Sequence, residues 1–337
     1  MFILFCRAYI RFGDIRLVAS SYHPYIPSIF RTIVMSECDD KLLLVGLDSA
    51  LVSIRKDNGS LTMIAGDPIQ DGYREGRGTE ARFTAVSGIV ELDHHYVVAD
   101  IRNNCLRSIS YQSGSVTASW AGECKERSES IDGDLNQARF YRPKGLQKDP
   151  LNDNLVYVLE VALVRRIDLG RKIVQTVAGP ARTSSDMYME MTISPNGSLV
   201  LSLYGGIIML HNGNVEVLAG NNGWSNTPCN ACQFPQSTFI SATQAIFLTA
   251  SVLLMAERNP HSLRLLNLTG GDDITIGNGK GFVDGYYQQA KFTYPMALAA
   301  DDSHIYIGEN AREGGGLRKL EYSGKQFRLK RKTRRIC

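Results

Sequence analysis

Ile64-Ala65-Gly66-x₄-Asp71-Gly72-x₈-Ala81-Arg82-Phe83 is the stretch on which the fold turns, because its parts recur along the chain. Ala121-Gly122 is followed by Asp132-Gly133 and then by Ala138-Arg139-Phe140. Near the C-terminus, Ile276-Gly277 is followed by Asp284-Gly285 and by Ala290-Lys291-Phe292. Reduced copies keep the small pair alone, at Ala178-Gly179 and at Ala219-Gly220, the latter followed by Phe234. The pairs stand at 65, 121, 178, 219 and 276, in steps of 56, 57, 41 and 57 residues. A period of this length means one supersecondary unit copied around or along a stack.

Each period holds four short runs rich in β-branched and aromatic residues. After the first phenylalanine these are Ser87–Val90, Tyr96–Ala99, Leu106–Ile109 and Ser115–Trp120. Asn-Gly and Asp-Asn-Gly turns separate such runs, as at Asp57-Asn58-Gly59, Pro195-Asn196-Gly197 and His211-Asn212-Gly213. Runs of this kind are strands joined by hairpins. No segment of helical length keeps a 3.6-residue apolar period. Four strands per unit is the pattern of a propeller blade.

The second runs cluster at Leu42–Leu47, Tyr96–Ala99, Val156–Leu159, Ser198–Leu203, Ala245–Ala250 and Ile305–Gly308, which gives six blades. The fourth lacks an Asp-Gly loop in front of it, which accounts for the short step of 41. Ile15–Ser20 reads as a degenerate outer strand able to complete the last sheet and so remove an exposed edge. The segment Gln326–Lys330 competes for that place.

The units resemble NHL repeats, the six-bladed propellers of the tripartite-motif and peptide-amidating-lyase relatives. The best copy runs from Ala65-Gly66 through Gly88-Ile89, Val97-Val98-Ala99-Asp100 and Asn104 to Leu106-Arg107. The resemblance covers nearly the whole chain. It implies an all-β fold, a six-bladed β-propeller of four-stranded antiparallel blades over residues 1–324, followed by a basic tail at 325–337. It is specific for fold and unspecific for activity, since function lives in sites grafted onto folds.

Composition is ordinary for a globular protein, at 44% hydrophobic and 21% charged residues. No apolar run reaches membrane-spanning length. The apolar start Met1–Cys6 is broken by Arg7 and falls short of the apolar core of a secretory signal. The sequence alone does not assign a compartment, and the chain could be part of a longer protein. Seven of the basic residues lie in the tail from Lys325, which leaves 30 basic against 34 acidic residues in the body. That balance disfavours RNA as partner, because nucleic-acid binding needs a basic footprint. Seven cysteines at irregular positions form no dense disulfide framework. The sequons at Asn58, Asn196 and Asn267 are about what chance supplies.

Two sets of residues recur with the repeat. An acid closes the second strand in four blades, at Asp100, Glu160, Glu257 and Glu309. An arginine opens the third strand in the same blades, at Arg107, Arg165, Arg264 and Arg318. A feature copied in most repeats serves the repeat, so these acids are expected to bind turn backbone or pair across the hairpin. The functional alternative is an acidic ring at one mouth of a central channel. The second set is Arg82, Arg139 and Lys291, each preceding the loop phenylalanine. Side chains alternate along a strand, so these three should point away from the buried ring and border a partner-binding face.

The amidating lyases of this architecture hold a central metal with histidines from several blades. The six histidines here do not recur at one strand position, and Cys229-x-x-Cys232 has no second pair beside it. No catalytic residues, cofactor or metal site are therefore expected. The sequence points to a non-catalytic propeller that serves as a protein-interaction scaffold. The alternatives are an RNA-binding propeller and a degenerate amidating-lyase-like or hydrolase-like enzyme.

Overall fold

The computed structural model describes residues 3–5, 8–20, 30–110, 115–125, 128–179, 188–203, 206–211, 214–220, 242–269, 273–310 and 316–323. Phe234, the Cys229/Cys232 pair, His23, the segment 326–330 and the basic tail lie outside them. The described residues fall into two compact units, 30–179 and 3–20 with 188–323.

Each unit holds three antiparallel sheets whose strands follow one another as meanders. In the first unit, blade one is Thr32–Met35, Leu42–Gly46, Ala50–Arg55 and Leu61–Gly66. Blade two is Val86–Leu92, His95–Asp100, Cys105–Ser110 and Val116–Ala121, and blade three is Gly145–Lys148, Leu155–Leu159, Val164–Asp168 and Ile173–Ala178. In the second unit, blade four is Glu190–Ile193, Leu199–Leu203, Gly206–His211 and Asn214–Gly220. Blade five is Ala242–Thr249, Val252–Glu257, Ser262–Asn267 and Asp273–Ile276. Blade six takes Pro295–Ala300, His304–Glu309 and Gly316–Ser323 from one end of the chain and Ala8–Ser20 from the other. The protein is all-β, a six-bladed propeller of four-stranded antiparallel blades.

Ala8–Ser20 takes the outer, fourth place in blade six, with Ile3–Phe5 and Gly285–Tyr286 paired along its far side. Its pairing with Gly316–Ser323 runs from Arg11↔Ser323 to Ser20↔Gly316. One strand assignment shifts. Ala245–Ala250 reads as a second strand in the sequence, yet Ala242–Thr249 is the first strand of blade five and Val252–Glu257 the second. The hairpin turns at Ala250-Ser251, without the glycine, asparagine or proline that marks turns such as Asp57-Asn58-Gly59 and Pro195-Asn196-Gly197.

Blades two and five lie between neighbours of their own unit, and their second strands are buried along most or all of their length instead of alternating. Leu44, Leu51 and Ala65 of blade one pack with Phe83, Val86, Ile89 and Val98 of the next. Phe140 packs between blades two and three in the same way, and Phe292 between five and six. All three rings are fully buried. Their partner is the small pair. Gly66, Gly122 and Gly277 have φ of 92°, 83° and 106°. A Cβ on each would approach a ring carbon of Phe83, Phe140 or Phe292 to 2.8, 2.8 and 2.6 Å. The Ala-Gly and Ala-x-Phe ends of the motif are thus two halves of one contact, made where blade one meets two, two meets three and five meets six.

Candidate interaction face

The acid–arginine pairs build the platform on which the loops stand. Arg107, Arg165 and Arg318 are fully buried and pair with Asp100 at 3.2 Å, Glu160 at 2.7 Å and Glu309 at 3.1 Å. Each carboxylate also accepts a backbone N–H from the residue following the buried phenylalanine, at Thr84 (2.9 Å), Tyr141 (2.8 Å) and Thr293 (2.5 Å). Each guanidinium donates to two loop carbonyls. For Arg107 these are Arg82 (3.0 Å) and Arg74 (2.9 Å). For Arg165 they are Arg139 (3.0 Å) and Ile131 (2.7 Å), and for Arg318 Lys291 and Val283 (both 2.6 Å). The cation also lies over the phenylalanine ring, 4.9 Å from the Phe83 centroid, 5.4 Å from Phe140 and 5.1 Å from Phe292. Arg165 and Arg318 each meet a second acid, Asp132 at 2.6 Å and Asp284 at 3.0 Å, and blade five has the same arrangement, Arg264 with Glu257 at 3.0 Å and Asp273 at 3.1 Å. The recurring acids Asp100, Glu160, Glu257 and Glu309 are buried structural partners of arginine, as the recurrence implied, and do not form an exposed acidic ring. Burial pushes the carboxyl groups of Asp100, Glu160 and Glu257 upward, and that of Glu309 up to about 7, against the lowering effect of the arginines.

The clamp corrects the register of the repeat. The loop bridges Arg74↔Arg82, Ile131↔Arg139 and Val283↔Lys291 align Glu75-Gly76 with Asp132-Gly133 and Asp284-Gly285. Asp71-Gly72, the pair that stands out in the sequence, lies four residues too early. Hydrogen bonds agree. Glu75 accepts Ser119 N–H and Oγ–H at 2.9 and 3.0 Å, as Asp132 accepts Thr176 N–H and Oγ1–H at 2.9 and 3.1 Å. The Ser119 contacts hold the Glu75 carboxyl below its ordinary range.

Arg82, Arg139 and Lys291 occupy one equivalent position in blades two, three and six, at the blade end that also carries the turn after the second strand. The first two are committed to their own loops. Arg82 donates to the Ala81 carbonyl and to Gln70 Oε1 and pairs with Asp67 at 3.3 Å. Arg139 donates to the carbonyls of Gln137 and Ala138 and pairs with Glu123 at 3.1 Å. Lys291 lies against Gly281, where an added Cβ would meet its Cδ at 3.1 Å.

The loop end of blades two and three presents four large apolar or aromatic side chains to solvent among exposed charged residues that include Asp71, Glu75 and Asp132. Ile69 is 74% exposed, Tyr73 47%, Ile131 43% and Tyr141 43%. Exposed Arg74, Arg102 and Arg142 lie among them, with Arg142 over the Tyr141 ring at 5.9 Å. The segments are tied together. Asn103 donates to the Gly72 carbonyl at 3.0 Å, and Asn104 donates to the Lys125 carbonyl at 2.8 Å while accepting Arg142 N–H at 2.9 Å. The disulfide Cys105–Cys124 fastens the 122–125 segment to the start of the third strand. In blade six the equivalent of Ile131 is Val283, 47% exposed. None of these apolar positions stood out in the sequence. The available signal was an isoleucine or tyrosine in loop positions where the repeat asks only for polar or turn residues.

Three of the five described histidines, His211, His261 and His304, sit apart in structural contacts. His211 Nδ1 hydrogen-bonds with Ser198 Oγ at 2.8 Å, His261 Nδ1 accepts Tyr294 N–H at 3.2 Å, and His304 contacts Ser303 and Asp301. Among the described residues, no three metal-ligating side chains converge, and no helix is long and apolar enough to cross a membrane.

No protein-family model matches the chain, and no curated protein matches it. Solved structures do. An auxiliary nutrient binding protein from Bacteroides thetaiotaomicron superposes with a TM-score of 0.70 at 12% identity, covering 93% of this chain and 77% of that one. A protein of the same description from Bacteroides ovatus gives 0.67 at 13% identity, covering 93% and 78%. A virginiamycin B lyase from Staphylococcus aureus gives 0.53 at 12% identity, covering 93% and 99%. At these identities the likeness is one of fold.

Proposed function

We propose that this chain is an NHL-like propeller, its body spanning residues 1–324, that acts without catalysis as a protein-interaction scaffold. Its partner is held on the loop end of blades two and three. The observation that supports this is the grouping of exposed Ile69, Tyr73, Ile131 and Tyr141 with Arg74, Arg102 and Arg142. Tyrosine and arginine are the residues enriched in the cores of protein interfaces, and a rigid patch of this kind loses little entropy on binding. The complementary surface is apolar with carboxylates facing the arginines. Arg82, Arg139 and Lys291 belong to this reading as the residues that shape the loops, their remaining exposed surface bordering the partner.

The test compares two variants as affinity baits. Ile69→Glu with Tyr141→Glu should lose a protein partner that the parent retains, with melting unchanged, since exposed substitutions move stability little. Val215→Glu, an exposed apolar site on blade four, should keep it. Retention by the double variant with loss by Val215→Glu would place binding elsewhere. Salt-dependent retention of single-stranded RNA by this same face would replace the protein reading with the RNA alternative.

A further inference from the structure

Disulfides such as Cys105–Cys124, and the disulfide-bonded state of Cys38, persist in oxidising compartments and are rare in reducing ones. Where such a compartment also holds an oligosaccharyltransferase, an accessible Asn-x-Ser/Thr is an acceptor site. The fold separates the three sequons. Asn267 is 1% exposed, its Oδ1 accepts Thr269 N–H, and its Nδ2 is enclosed. Asn196 is exposed, but its Oδ1 takes hydrogen bonds from Ser194 and Ser198, and the Ser198 side chain is buried. Asn58 stands at the tip of the hairpin between Ala50–Arg55 and Leu61–Gly66, exposed together with Ser60. Its Oδ1 accepts only Ser60 N–H, at 2.9 Å, which leaves Nδ2 to solvent.

We propose that Asn58 carries an N-linked glycan. The donor is a polyprenyl-diphosphate-linked oligosaccharide. Nδ2 forms the bond to the anomeric carbon of the sugar, the carbon–oxygen bond to the diphosphate breaks, the diphosphate leaves with that electron pair, and the amide gives up one proton. The position suits the fold. In an antiparallel four-stranded blade, the third-to-fourth hairpin emerges at the end opposite the leading loop and the second-to-third turn. Asn58 therefore projects from the hairpin end of blade one, and a glycan there leaves the loop ends of blades two and three uncovered. The inference stands apart from the identity of any partner, because it rests on redox state and exposure alone.

The experiment uses the full-length protein isolated from its own source. Peptides are alkylated without reduction, digested, and analysed before and after peptide-N-glycosidase in heavy-oxygen water. The expected result is a Cys105–Cys124 linked peptide and a peptide in which residue 58 gains the heavy-oxygen aspartate mass only after enzyme treatment. Unmodified Asn58 in a protein whose Cys105–Cys124 bond is intact would overturn the site. Free, alkylated Cys105 and Cys124 would overturn the compartment on which it rests. As a second measure, Asn58→Gln should remove one glycan's mass from the protein while its melting temperature stays within a degree or two of the parent's; a parent and variant of equal glycan content would also overturn the site.

Discussion

A buried arginine is a costly residue to keep, and among the described residues three are fully enclosed. Each is tolerated because the charge meets one or two carboxylates and the guanidinium also donates to two loop carbonyls that no strand could satisfy. Removing one partner of such a pair strands the other in low dielectric, which costs about 3–5 kcal/mol. Arg107→Met should therefore lower unfolding free energy by that amount in chemical denaturation, although methionine restores apolar volume. A loss below about 1 kcal/mol would mean that Asp100 and the loop carbonyls find other partners. Glu309 offers a pH test of the same device. Burial raises its folded pKa to about 7, above the ordinary glutamate value near 4.3. A raised carboxyl binds its proton more tightly in the folded state. Its contribution is full below the unfolded pKa and is lost as pH climbs through about 7. Glu309→Gln cannot ionise. The stability of the parent relative to this variant should fall between pH 5 and pH 8, and melting curves across that range would show it. A constant difference would place the titration of Glu309 outside this window.

At the scale of the element, the repeat was legible wherever steric need leaves a single answer. Gly66, Gly122 and Gly277 combine positive φ with a phenylalanine ring closer than any Cβ allows, so the small pair and Ala-x-Phe could be read without coordinates. The Asp-Gly register was not legible by composition. Asp71-Gly72 and Glu75-Gly76 both offer an acid before glycine, and only the spacing to Ala81 tells them apart. The solvent-facing side chains of the loops were hidden for a different reason. Whether Ile69 or Tyr141 is covered depends on what packs above the loop, which no local pattern records. The Cys105–Cys124 link was likewise invisible among seven irregular cysteines, because it joins the beginning of one strand to the loop after the next. It closes a loop with a sequence separation of 19 residues. Replacing both cysteines by alanine should cost about 3 kcal/mol, read as a lower denaturation midpoint with a slope that rises as the unlinked denatured chain expands. An unchanged midpoint would mean that the link does not form in solution.

Over the whole molecule the decisive pairing joins the two ends of the chain. Ala8–Ser20 covers Gly316–Ser323 along nearly its full length, so the last strand of blade six is an interior strand only while the first residues are present. The two assignments Arg16↔Lys319 and Leu17↔Arg318 place this cover directly over the strand that carries the buried Arg318. The contact is the most non-local in the fold, and its loop-closure entropy is recovered only after the intervening blades have formed. Deleting residues 1–20 should act in two ways at once. It removes the pairing that completes blade six, which should lower the melting temperature by roughly 10 °C if several kcal/mol are lost. It also leaves Gly316–Ser323 as an open edge, which invites pairing between molecules. Light scattering should then rise in a concentration-dependent way below the melting transition. If the truncated chain melts with the parent and stays monodisperse, another segment must take the outer place, and residues 326–330 are the first to examine by a second truncation. A fall in melting temperature without association would separate the two effects, leaving the stabilising role of the N-terminal strand and removing its role in protecting the edge.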